Sequence, residues 1–160
     1  MVNDKKIKAL LIMSVFSFFI MSADFLIMPI GNTVTEVSMK WFNILTGTLF
    51  WGALICGIVL YILYSNECKK QYKNIKGKRD FYNKKRFGLI SFFSNRYAVI
   101  SDVGLFISIL LFAILMIFSD RTSYLCYVAI MLSALFLALH CIFNGKPFCI
   151  YEKLNGVNNK

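Results

Sequence analysis

The chain contains one histidine, two prolines and eight acidic residues in 160, and none of its five cysteines forms a Cys-x-x-Cys pair. Each scarcity removes a class of function. A single histidine, with no serine or cysteine set in a nucleophile elbow, gives no basis for triad chemistry. Cys56, Cys68, Cys126, Cys141 and Cys149 are spaced for neither a zinc pattern nor a disulfide framework. His140, Cys141, Cys149 and Asp102 are ligand types, but their spacing matches no established metal site. No cofactor and no metal are expected, and the chain reads as non-enzymatic.

Apolar residues are abundant. They make up 58% of the sequence, and the mean hydropathy is +0.64. A soluble domain of this size must face water, and it rarely carries so much apolar surface. Four stretches, at about 7–30, 41–64, 99–118 and 124–143, are each long enough to cross about 30 Å of hydrocarbon as helix. The expectation is a single membrane domain over 1–160, an all-α integral membrane four-helix bundle. Pro29 and Gly31 end the first crossing. A cleaved leader ending at Ser22-Ala23 is the rival there, but Met21 fits such a cut poorly and apolar sequence resumes at Phe25. Trp41, Tyr61, Tyr64, Tyr124 and Tyr127 fall at span boundaries, where amphipathic rings form belts.

Charge sets the expected direction. Of eighteen Lys and Arg residues, only Lys40 and Arg121 lie outside the N-terminal arm, the 65–98 loop and the 144–160 tail. Basic connections stay on the cytoplasmic side, so both termini and the long loop are expected there, in a cell membrane. The loop holds Lys76, Lys78, Arg79, Lys84, Lys85 and Arg86 beside Phe87, Phe92 and Phe93. Such a segment suits anionic headgroups at about 1 kcal/mol per basic residue. A solvated topology signal is the alternative. The formal charge of +10 suits nucleic acid too, but no recognition motif accompanies it, and no nucleic-acid partner is expected.

Few polar groups enter the spans. Asp24 lies roughly 9 Å inside the first crossing, on one helical face with Ser14, Ser17 and Met21. That stripe is expected to face another helix. The hairpin turn brings Asp24 level with Thr46, Gly47 and Thr48, whose hydroxyls could serve as its partner. Asp24 reads either as a hydrogen-bonded link between helices or as a proton- or cation-binding acid. Asp102 and His140 stand nineteen residues before and after Arg121, which puts them at equal depth in an antiparallel pair. Contact would make a proton relay or pH-sensitive latch. Otherwise each is an interfacial group, and Asp102 could cap its helix.

Small residues recur every four positions at Thr48, Gly52 and Cys56, and at Ala53 and Gly57, which suits close helix contact or self-association. Asn144-Gly145-Lys146-Pro147 reads as a helix stop, with Gly145 as a left-handed cap and a mobile tail after it.

Phe92-Phe93-Ser94-Asn95, leading through Asp102 into the third crossing, and His140-Cys141 followed by Asn144-Gly145-Lys146 resemble segments of small bacterial multi-span membrane proteins of unassigned function. The resemblance covers the last two crossings; it implies a topology and no activity. The expected function is accessory: packing with membrane lipids, anionic ones in particular, or with other membrane proteins. The alternative is a small transporter or transporter subunit that couples protons or cations through Asp24.

Overall fold

The structure is a computed structural model that describes residues 4–27, 29, 36–76, 91–118 and 123–158. The chain is all-α: α1 (Asp4–Ala23), a 3-10 turn (Asp24–Leu26), α2 (Glu36–Lys76), α3 (Arg96–Phe118), α4 (Tyr124–Phe143) and α5 (Lys146–Asn158). No strand occurs among the described residues. Among the described residues, four helices are long and apolar enough to cross a membrane. Gly31, Arg121 and the basic residues Lys78, Arg79, Lys84, Lys85 and Arg86 lie outside the described residues; Lys76 is the last residue of α2.

The helices pack in the order α2–α1–α4–α3, with no substantial α2–α3 contact among the described residues. In the α1–α2 hairpin, Ser14 Oγ donates to the Gly57 carbonyl at 3.1 Å, and the Phe18 ring lies 3.1 Å from where a Cβ on Gly57 would sit. A donor that finds a carbonyl inside the membrane is a direct helix-to-helix link. Ser14, Ser17 and Met21 are all buried, so the stripe on α1 does face its neighbour. In the α3–α4 hairpin the Phe136 ring occupies the space that a Cβ on Gly104 would need.

The α-helix of the first crossing ends at Ala23 and gives way to a 3-10 turn at Asp24–Leu26, before Pro29. Three further features depart from expectation. The second helix does not end near Tyr64; it continues as helix to Lys76, and at 41 residues it is roughly 60 Å long, about twice the hydrocarbon thickness. No Gly or Pro interrupts residues 58–76, and Gly77 follows directly, so nothing local stops the helix earlier. Glu67 in this extension meets Lys6 of α1 at 3.0 Å.

The tail is the second departure. It forms α5 and docks, burying Phe148 and Ile150 against Ile7, Leu11, Tyr64, Cys68 and Ile142. Pro147 follows the first residue of this new helix, in the first turn where a missing N–H costs nothing. Gly145 is not left-handed; its lack of a Cβ admits the Tyr61 hydroxyl. Tyr64 is the third. It is fully buried beneath α5, 6.4 Å from the Tyr151 ring, and is no lipid-facing belt residue. Trp41 and Tyr124, by contrast, are exposed.

The docked tail predicts its own sensitivity. Phe148→Ala should lower the stability of the detergent-solubilised protein by roughly 3 kcal/mol, the usual cost of emptying a buried Phe site. A denaturation midpoint unchanged from the parent chain would show that α5 is not part of the core.

Candidate functional site

The most polar buried region joins the segment 91–95 to α3 and α4. Asn95 precedes α3 and caps it, its Oδ1 accepting from the Ala98 N–H at 2.8 Å. Its Nδ2 donates to the Phe143 carbonyl at 2.7 Å, so the same side chain serves the end of α4. Ser94 follows the same logic, with its hydroxyl donating to Asn144 Oδ1. Phe93 has φ 53°, a left-handed conformation uncommon for a bulky residue. That turn aims its N–H at Asp102 Oδ2, 2.6 Å away.

Asp102 is the hub. It is fully buried, inside α3 and not at its cap. Its Oδ1 lies 2.6 Å from His140 Nδ1 and accepts from Asn144 Nδ2 at 2.9 Å. At that separation Oδ1 and Nδ1 share one hydrogen bond, with the donor set by the tautomer. Asn144 Nδ2 also lies 3.1 Å from Nδ1. The Phe92 ring covers the imidazole, with centroids 4.7 Å apart. Both carboxylate oxygens therefore have donors, and the pair expected from the symmetry of the hairpin is in contact. The hydrogen bonds of the imidazole among the described residues run through Nδ1.

Composition and spacing alone do not mark Asn144, Ser94, Asn95 and Phe93 as site residues. Asn144 carried a signal, four positions after His140 and so on the same helical face. Asn95 carried another, a cap residue at the head of an apolar run. The left-handed Phe93 carried none.

Asp24 stands apart from this cluster. It opens the 3-10 turn, which packs against α4, and only 1% of its surface is exposed. Neither carboxyl oxygen has a hydrogen-bond partner among the described residues. The threonines expected to serve it bond to their own helix: Thr46 to Phe42 O at 3.0 Å and Thr48 to Ile44 O at 2.6 Å. Back-bonding of this kind satisfies a hydroxyl in lipid without another helix. Metal-holding groups of three or more His, Cys, Asp or Glu do not occur among the described residues.

Removing the hub should be severe. Asp102→Ala leaves the Phe93 N–H, Asn144 and His140 without their acceptor, with an expected loss of about 3–5 kcal/mol. A double-mutant cycle with His140→Ala should give a coupling of about 1–3 kcal/mol in detergent unfolding. Additive losses would show that the two side chains act separately.

No protein-family model matches the chain, and no curated protein and no solved structure matches it significantly.

Proposed function

We propose that this chain is a non-enzymatic accessory protein of the cell membrane that docks against another membrane protein, or a second copy of itself, through the outer side of α2. One observation carries the reading. α2 packs on α1 and, at its far end, on α5, while Gly52 in its middle faces open space, with nothing among the described residues within 4 Å of where its Cβ would be. Glycine in a helix interior costs about 1 kcal/mol relative to alanine. Gly57 is used inside the chain, against Phe18; Gly52 is not. Beside it a groove of about 450 Å³, lined by Leu45, Thr48, Ala53 and Cys56 of α2 and by Ser17 and Ile20 of α1, offers room for another helix along the α1–α2 seam. Trp51, Ile55 and Ile62, which continue the exposed surface of α2, are more than half exposed.

The charge distribution supports cytoplasmic termini. The basic residues between α2 and α3 support contact with anionic headgroups on that side. These lipid contacts would anchor the cytoplasmic end of the bundle while α2 engages its partner.

A second reading, proton- or cation-coupled transport, is favoured by Asp24, whose two oxygens have no partner among the described residues. An acid in that position has to be matched by a bound proton or cation. Against it, neither the α2 groove nor the cavity between α1 and α4 is lined by Asp24, so neither supplies a polar route to it.

Two glycine substitutions separate docking from folding. Gly52→Leu should leave the isolated chain at least as stable as the parent yet abolish co-purification of its partner in mild detergent. Gly57→Leu should destabilise the chain itself by about 1–3 kcal/mol through overpacking on Phe18. Partner retention by Gly52→Leu would remove the docking reading. Transport activity lost in Asp24→Asn, with the fold intact, would establish the second.

A further inference from the structure

A cavity of about 970 Å³ opens between α1 and α4 beneath α5, on a different face from the α2 groove. Its lining is graded along the helix axes. Lys8 of α1 and Glu152 of α5 stand at one end beside Tyr151, and Phe16, Phe19 and Leu135 form the other. From Lys8 to Phe19 is eleven residues of helix, roughly 16 Å. The apolar part is open sideways, since Phe16 is 60% and Phe19 47% exposed. Lys8 sits near the start of α1 and Glu152 beyond the end of α4, so the charged end lies where a membrane span meets its headgroups.

The charges decide which lipid fits. Neither Lys8 nor Glu152 has an ion-pair partner among the described residues, and they do not pair with each other. Partial burial raises the Glu152 carboxyl above its ordinary range. An anionic lipid would satisfy Lys8 but bring its negative charge towards Glu152. A choline headgroup carries a cation with no N–H to donate. A primary ammonium on a phosphodiester supplies an anion for Lys8 and a donor cation for Glu152 together.

We propose that this cavity binds one molecule of a glycerophospholipid with a primary-ammonium headgroup, its phosphate on Lys8, its ammonium on Glu152, and an acyl chain along Phe16, Phe19 and Leu135. The site is independent of the docking surface on α2. It would also join α1, α4 and the docked tail through one ligand, which gives the charged end of α5 a reason to stand at the mouth of an apolar cavity.

The test is native mass spectrometry of the full chain with phosphatidylethanolamine, phosphatidylglycerol and phosphatidylcholine of identical acyl chains. Phosphatidylethanolamine should be retained about tenfold more than the other two, the scale of one hydrogen bond to a charged group. Glu152→Gln should erase that preference, and Lys8→Gln should weaken retention of all three. Both side chains are exposed, so both variants should keep the parent's melting temperature. Equal retention of the three lipids by the parent chain, or an undiminished preference in Glu152→Gln, would overturn the proposal. As a check that needs no variant, a phosphatidylethanolamine with a photoreactive acyl chain should label peptides containing Phe16, Phe19 and Leu135. Labelling spread evenly over the exposed face of α2 would overturn it equally.

Discussion

A carboxylate buried between membrane-spanning helices needs donors from the chain, or a bound proton or cation, because the hydrocarbon offers none. Asp102 meets this constraint, and much of the surrounding geometry follows from it. One oxygen faces the imidazole of His140 and the amide of Asn144, both near the end of α4; the other takes the N–H of Phe93. The left-handed turn at Phe93, the position of Ser94 and Asn95, and the start of α3 are consequences of bringing that N–H to that oxygen. Asn95 then serves two helix ends at once, donating to the last carbonyl of α4 while capping α3. The result is a fixed joint at one end of the α3–α4 hairpin.

Beside that joint lies the apolar core. The best-buried side chains gather where α1 begins, α2 passes, α4 ends and α5 docks. Away from it, the helices are wrapped by what surrounds the protein more than by one another. Only 6% of the most apolar window of α2 is buried, against 39% for α1. This asymmetry connects fold to function. A helix held at one end by Tyr64 and Cys68, and left open along Gly52, is positioned by the chain but not covered by it. The docking and lipid-binding proposals both draw on surfaces that the fold leaves available.

Much of this was legible in the sequence, in proportion to how local the physics was. The fourth helix has the bounds its composition indicated, because an apolar run lies between Ser123 and the Asn144-Gly145 break. The approach of Asp102 to His140 followed from equal spacing about a turn, though rotation was open until Gly104 and Phe136 fixed how the hairpin packs. Tertiary choices were not legible. Pro147 ends one helix and suits the first turn of the next equally well, and only the apolar contacts of Phe148 and Ile150 decide that α5 forms. Tyr64 looked like an interfacial ring because nothing local announces a helix that will cover it. Asp24 was matched with threonines at the right depth, but their hydroxyls turned to their own backbone.

The account rests on four bilayer crossings with basic connections on one side. The most direct measurement is labelling of single added cysteines with a membrane-impermeant thiol reagent in intact cells, scored against the unsubstituted chain. Asn32→Cys and Thr122→Cys should label from outside, whereas Asn83→Cys and Asn159→Cys should label only after permeabilisation. The reverse pattern, or labelling of all four positions before permeabilisation, would contradict it.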